Sequence, residues 1–111
     1  MNREALMSGL IACVRPETGY SAERVSSKVV LSSKDHAVGV VLFGHDSDVP
    51  RCVVWHGARL VGECQFSGES GWKIFPIVGG KRSPSPLFNI DPIHFLIEED
   101  SGARLLRATA V

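Results

Sequence analysis

The feature of this chain that most limits its fold is an alternation of apolar and polar residues over positions 25–78, interrupted by short turn sequences. The alternation is clearest from Arg51 to Phe66, where two such runs flank His56-Gly57. Two runs of period two around a Gly-containing pair indicate an antiparallel hairpin. In the expected register Trp55 faces Ala58 and Val53 faces Leu60. The pattern predicts a buried face composed of Val53, Trp55, Leu60 and Phe66.

A second hairpin is predicted around Lys34-Asp35. With a two-residue turn there, Leu31 faces Val38 and Val29 faces Val40, so one side of the pair is apolar. The same side is expected to continue to Leu42.

Two segments near the N-terminus have helical features. Residues 1–15 are expected to contain a helix over 3–14, because Asn2 is a suitable N-cap and Pro16 cannot continue a helix. Residues 21–31 are open to either a helix or a strand. The β-branched valines in that segment fit a pleated surface better, so strands are favoured there.

The last third of the chain contains one irregular segment and one more alternating run. Residues 79–92 hold several Gly, Pro and Ser residues and are predicted to form a long loop. Residues 93–111 are predicted to form a C-terminal hairpin that turns at Ser101-Gly102. Its apolar positions are Ile93, Phe95, Ile97, Leu106, Ala108 and Ala110.

These elements predict a mainly β, α+β fold in a single domain of 111 residues, too short for a second core. About seven hairpin-connected strands and one N-terminal helix can form a small antiparallel barrel. They can also form a two-layer sheet whose open face the helix covers.

Composition excludes several functional classes. Twelve basic and twelve acidic residues give a sequence pI of about 6.9, so the protein lacks the overall field that attracts nucleic acid or an anionic membrane. Uninterrupted apolar stretches such as Val40 to Phe43 are far too short to span a membrane. With no signal-peptide pattern, a cytoplasmic location is expected.

Three cysteines form an odd, sparse set, which predicts free, buried thiols and no disulfide framework. Cys52, His56 and Cys64 do not suit a zinc site, because strand residues four apart are separated by roughly 13 Å. In the expected register Cys64 also faces the opposite side from Cys52. Neither a metal site nor a cofactor is predicted.

His45, Asp46 and Asp48 form the densest group of catalytic residue types. An imidazole beside carboxylates can act as an acid–base group at the mouth of a pocket, which would suit a small-ligand binder or an enzyme. A polar turn explains the same residues and is favoured. The other histidines are isolated in sequence, and only the fold can bring them together.

Lys81, Arg82 and Trp72 are the candidate binding residues. A basic groove with stacking rings is typical of single-strand nucleic-acid binding, but acidic residues are interspersed along the same hairpins. Nucleic-acid binding is therefore an alternative and is not favoured.

The hypothesis that remains is a non-catalytic, β-rich interaction or binding module of the kind that suits an accessory protein of a phage or mobile element. The expected partner is a second copy of the chain, in a two-fold dimer, or another protein. The reason is that a small open sheet leaves strand edges and apolar residues uncovered. Val30, Val41 and Phe43, for example, are expected on one face and Val29, Val40 and Leu42 on the other.

Overall fold

The computed structural model describes residues 2–44 and 49–103. The fold is mostly β, with 47% of residues in strands, and it contains two helices. The helices are α1 (Arg3–Ala12) and α2 (Pro92–Ser101), and a 3-10 turn covers Pro16–Thr18. The strands are β1 (Tyr20–Val25), β2 (Lys28–Ser33), β3 (Ala37–Phe43), β4 (Arg51–His56), β5 (Arg59–Ser67), β6 (Gly71–Val78), β7 (Lys81–Arg82) and β8 (Leu87–Phe88).

The strands form one antiparallel sheet in which β1 to β6 lie side by side in chain order. The two-residue strands β7 and β8 both pair with β6 and protect that edge of the sheet. The sheet is not closed into a barrel. The mainly β prediction is therefore confirmed, and of its two architectures the two-layer sheet fits.

The core lies between the two helices and one face of the sheet, which we call the helix side. Its central residues are wholly buried, and the glycine at position 62 lets the ring of Phe95 approach the sheet closely. The core comprises Leu6, Met7, Leu10, Val29, Leu31, Val38, Val41, Phe43, Cys52, Val54, Val61, Cys64, Ile74, Ile93, Phe95 and Leu96. Neither helix in the described ranges is long and apolar enough to cross a membrane.

The predicted N-terminal helix is confirmed as α1. The side chain of Asn2 accepts a hydrogen bond from the Ala5 N–H at 2.8 Å and so caps the first turn, as expected. Leu6, Met7 and Leu10 are the buried residues of α1, which places its apolar stripe against the sheet.

The predicted C-terminal hairpin is wrong, because residues 92–101 form the helix α2. Asp91 is its N-cap and accepts hydrogen bonds from the N–H groups of Ile93 and His94 at 2.8 and 2.9 Å. Pro92 occupies the first turn, where its fixed φ favours helix and its missing N–H costs nothing. Local capping therefore outweighs the apolar alternation that indicated a strand. The second half of the predicted hairpin, residues 104–111, lies outside the described residues.

Within residues 21–31 the strand interpretation is confirmed, with one hairpin more than expected. Strand β1 begins at Tyr20 and pairs along its whole length with β2. The chain reverses at Ser26-Ser27, where Ser26 takes a left-handed φ of 57°. The predicted strand region, residues 25–78, thus begins five residues too late.

The hairpin at Lys34-Asp35 is present, and the Ser33 N–H donates to the His36 carbonyl at 2.9 Å. Its expected pairing is displaced by one residue, because Leu31 lies opposite Gly39 and Val29 opposite Val41. A β-bulge inserts one extra residue, Val38, into β3 without a partner on β2. Every later residue of β3 therefore lies on the opposite face from the expected one. Val38 is buried as expected, whereas Val40 and Leu42 lie on the other face.

The hairpin over Arg51–Phe66 is also present with a different register. Trp55 pairs with Leu60, and a second bulge leaves Val61 of β5 without a partner on β4. The buried residues are therefore Cys52, Val54, Val61 and Cys64. The predicted buried face is wrong for Val53, Trp55 and Leu60, while Phe66 does pack against the core.

The long loop predicted over residues 79–92 is shorter than expected, since β7 and β8 occupy part of it and pair with β6. Two-residue strands are too short to produce an alternating pattern that would reveal them in the sequence.

Candidate interaction face

The face of the sheet opposite the helices carries two rows of mostly apolar side chains, and we call it the outer face. In antiparallel pairing, directly opposed residues share a face, so the register defines each row. The first row is Val30, Val40, Trp55 and Leu60, and the second is Leu42, Val53, Glu63 and Phe75.

No helix or further sheet among the described residues covers these rows. Leu42 has 39% of its surface exposed, and the neighbouring Val53, Trp55 and Phe75 are half-buried. A contiguous apolar surface on a small protein is typical of a site that binds another molecule. The outer face is therefore the strongest candidate for a binding surface.

Basic side chains dominate the charge of the outer face. Register places Lys28, Arg51, Lys73 and Arg82 there, against the acidic Glu23 and Glu63. The whole chain has no net charge, so this excess is local. The outer face is thus electropositive as well as apolar.

Arg82 is held in place on this face by two contacts. Its guanidinium carbon lies 3.7 Å from the centre of the Phe75 ring, and its Nε lies 3.6 Å from Oε2 of Glu63. Cation–π stacking and the nearby carboxylate restrict the side chain. The predicted binding residue Arg82 therefore lies on the candidate face, whereas Lys81, paired with Val78, lies on the opposite side of the strand.

A groove of about 520 Å³ lies at one end of the outer face. Its lining includes the apolar Leu42 and Val53 and the polar Arg51, Glu63, Gln65 and Arg82 of the outer face. Arg51 is exposed and has no hydrogen bond or ion pair through its side chain within residues 2–44 and 49–103. The groove therefore combines apolar lining residues with a guanidinium that has no partner in the described part of the chain.

A second candidate site is a polar cluster at one end of the sheet, centred on Asp100 of α2. Its carboxylate accepts a hydrogen bond from the Tyr20 hydroxyl at 2.8 Å. The Nε2 atoms of His36 and His56 lie 2.9 and 3.1 Å from its Oδ1. Only 8% of the Asp100 side chain is exposed, whereas His36 is 52% exposed, so the cluster lies at the surface around a shielded carboxylate. Two histidines that are isolated in sequence are thus brought together by the fold.

Electrostatics in this cluster favour an ionised Asp100. Burial opposes ionisation, but hydrogen bonds from His36, His56 and Tyr20 together lower the pKa of this carboxyl below its ordinary value. Desolvation and the adjacent carboxylate raise the pKa of Tyr20. Across the described ranges, no group of three or more His, Cys, Asp or Glu side chains is arranged to hold a metal ion. The cluster connects α2 to β1, β4 and the turn between β2 and β3.

The other residues predicted as functional lie in different places. His45, Asp46 and Asp48 lie outside the described residues. Trp72 is not a free stacking surface, because its ring packs edge-on against Phe43 and Phe66 at centroid distances of 6.3 and 5.1 Å. It also lines a separate groove of about 800 Å³ beside Asp91 and His94.

The expectation that Cys52 and Cys64 face opposite sides of the hairpin is wrong. They are directly opposed partners on β4 and β5, and both lie on the helix side with 3% and 2% of their surfaces exposed. Desolvation by burial raises the pKa of the Cys52 thiol well above its ordinary value. Both thiols are free and buried, as predicted, which fits their role as small apolar core residues. The prediction of burial is wrong for Cys13, which is exposed just after α1.

The fold and the outer face define a class of domain, an open two-layer arrangement of helices on a meandering sheet. Comparison with protein-family models, with curated proteins and with solved structures finds no match to this chain.

A sequence signal for the outer face does exist. The stretch from Val40 to Phe43 is apolar at consecutive positions, which indicates a strand with apolar side chains on both faces. The cluster around Asp100 has no comparable signal, since its four residues are distant from one another in the chain.

Proposed function

We propose that this protein is a non-catalytic interaction module that binds a protein partner through the outer face of its sheet. The observation that carries the proposal is the pair of apolar rows across β2 to β6, which no other described element covers. Burying such a surface against a partner is favourable at about 25 cal/mol per Å² of apolar area removed from water.

The dimensions of the domain suit this role. Its two longer axes measure 37 and 33 Å, and its shortest measures 24 Å, as expected for a sheet with one layer of helices. Its broad side therefore offers on the order of 1,000 Å², compared with about 800 Å² per partner in a typical stable complex.

The cluster around Asp100 supports a structural role for the acid–base groups of the domain. The carboxylate of Asp100 is used in hydrogen bonds to Tyr20, His36 and His56, which tie separate elements together. Groups committed to one another in this way are poorly placed to act on a substrate.

In-cell photo-crosslinking tests the proposal directly. A photoreactive phenylalanine analogue replaces Val53 on the outer face or, as a control, Ser8 on the exposed side of α1. We expect a discrete protein adduct from position 53 and none of the same mass from position 8. Equal adducts from both positions, or none from position 53, would contradict the proposal.

We also propose that two copies of the chain pair through β1. The β6 edge is protected by β7 and β8, whereas in residues 2–44 and 49–103 no strand pairs with the outer side of β1. The two-residue turn after Val25 makes Val25 and Lys28 a hydrogen-bonded pair, so the N–H groups of Ala22 and Arg24 point away from β2. An open edge of this kind is a template for pairing with a second copy in a two-fold dimer.

Light scattering tests the dimer. We expect the mass of two chains at micromolar concentration, and the mass of one chain for Ala22→Pro, which removes an outward N–H and leaves the β2 ladder intact. A mass of one chain for the unsubstituted protein would contradict the dimer without affecting the proposal for the outer face.

A further inference from the structure

We propose that the groove at the Arg51 end of the outer face binds an acidic, apolar segment of a partner protein. In this arrangement a carboxylate of the partner contacts the Arg51 guanidinium, and an apolar side chain of the partner lies on Leu42 and Val53. The inference rests on the outer face being the binding surface proposed above, and it specifies the chemistry of the partner.

Charge complementarity is the first argument. Four basic residues and two acidic ones lie on the outer face of a chain whose net charge is zero. Packing this face against the same face of a second copy would oppose like charges, which costs free energy and slows association. An acidic segment is complementary to it, and the homodimer proposed above uses the β1 edge instead.

The state of the two arginines is the second argument. Arg82 stacks on Phe75 and lies near Glu63, so part of its charge is already balanced inside the protein. Arg51 stands on the other side of the groove with no side-chain partner among the described residues. A guanidinium binds a carboxylate through two parallel hydrogen bonds, which is stronger and more directional than contact with a point charge.

The apolar lining of the groove is the third argument. Leu42 is 39% exposed, and Val53 lies beside it on the next strand at the directly opposed position. This adjacent pair provides an apolar contact next to Arg51. The residue directly opposite Arg51 on β5 is Gln65, which carries no charge. A segment with an acidic and an apolar side chain two positions apart fits this sequence of contacts, because an extended strand places residues i and i+2 on the same side.

Fluorescence anisotropy with labelled ten-residue peptides tests the inference. In each probe every second residue is Ser, and the residues between alternate Glu with Leu, Lys with Leu, or Glu with Ser, so that both kinds of side chain share one side of an extended peptide; each probe is titrated with the full chain. We expect the Glu–Leu peptide to bind, and the other two to bind at least about tenfold more weakly, equivalent to about 1.4 kcal/mol. Affinity for the Glu–Leu peptide should fall as salt is added.

Substitutions at Arg51 test whether the peptide binds in the groove. Arg51→Glu should weaken binding of the Glu–Leu peptide at least about tenfold, and Arg51→Lys should weaken it less, because the charge is kept and the planar fork is lost. Arg15→Glu is the matched control, since it makes the same change of charge at an exposed residue before the 3-10 turn, outside the sheet. It should bind the peptide as the unsubstituted protein does.

Three results would overturn the inference: no binding of the Glu–Leu peptide, equal binding of the Lys–Leu peptide, or unchanged affinity in Arg51→Glu. Crosslinking from position 53 separates these failures from failure of the proposed function. If that adduct forms while the peptide results are negative, the outer face remains the binding surface and only the acidic partner is rejected. If the adduct is absent as well, both proposals fail.

Discussion

The hydroxyl of Tyr20 donates a hydrogen bond of 2.8 Å to the carboxylate of Asp100, which joins the first residue of β1 to the last turn of α2. The two residues are 80 positions apart in the chain. The same carboxylate is also hydrogen-bonded to the Nε2 atoms of His36 and His56. One side chain therefore links elements from both ends of the described fold. Loss of these hydrogen bonds should lower the free energy of unfolding.

Asp100 should make the stability of the fold sensitive to acid. Its pKa is lowered by its hydrogen bonds, so the ionised form stabilises the fold above the unfolded-state value of about 4. That contribution is lost as pH falls through the lower, folded-state pKa. We expect Asp100→Asn to lower the free energy of unfolding by about 1–3 kcal/mol at pH 7, measured by urea denaturation. Below pH 4 the stability of this variant should fall less steeply with pH than that of the unsubstituted protein.

The control for that experiment is Asp35→Asn, at an exposed position in the turn between β2 and β3. It should reproduce the pH profile of the unsubstituted protein. If Asp100→Asn has the same profile as this control, the hydrogen bonds to Asp100 do not contribute to stability.

Gly39 should not tolerate a side chain. A Cβ added there would lie 1.9 Å from the carbonyl oxygen of Trp55, a backbone atom that cannot move without disrupting the pairing of β3 with β4. We expect Gly39→Ala to cost more than about 2 kcal/mol in urea denaturation. Gly9→Ala, in open space on α1, should stabilise the protein by up to about 1 kcal/mol. Similar stabilities for the two variants would show that the bulge beside Gly39 is misplaced.

The two faces of the sheet should respond differently to truncation. Phe95 is wholly buried on the helix side, and Phe95→Ala should cost about 3–5 kcal/mol because it leaves a cavity. Trp55 is half-buried on the outer face, and Trp55→Ala should cost less than about 2 kcal/mol. Denaturant midpoints measure both, and a larger loss for Trp55→Ala would place that ring in the core and contradict the observed register.

The three cysteines should differ in reactivity towards a thiol reagent. Cys13 is exposed, whereas Cys52 and Cys64 are buried as opposed partners. We expect one thiol per chain to react in the folded protein and all three after unfolding, because reaction requires an accessible thiolate. Rapid reaction of all three in the folded protein would show that the sheet opens between β4 and β5.

Local patterns made much of the fold predictable. Alternation and turn residues identified the hairpins at Lys34-Asp35 and within Arg51–Phe66, and capping by Asn2 identified α1. In each case the deciding interaction lies within a few residues in sequence. A local signal for α2 is also present, since Asp91 is a suitable N-cap and Pro92 suits the first turn of a helix.

The register could not be predicted because bulges have no regular pattern. One additional residue at Val38 and one at Val61 each move all later side chains of their strands to the opposite face. Val53 and Trp55 lie on β4, which has apolar residues on both faces, so alternation alone does not indicate that Cys52 and Val54 form its buried side. The Asp100 cluster was beyond reach for a different reason, since its members meet only through tertiary contacts.

The most direct test of the outer face as a binding surface is quantitative capture from the cells that express the protein. The tagged wild-type chain is compared with Leu42→Asp, which places a negative charge on the outer face. The control is Ser8→Asp, which introduces the same side chain at an exposed position of α1. All three chains should keep the same melting temperature to within a few degrees. We expect the same partner to be retained at the same stoichiometry by wild type and Ser8→Asp and to be lost from Leu42→Asp. Retention by Leu42→Asp at the wild-type level would contradict the account.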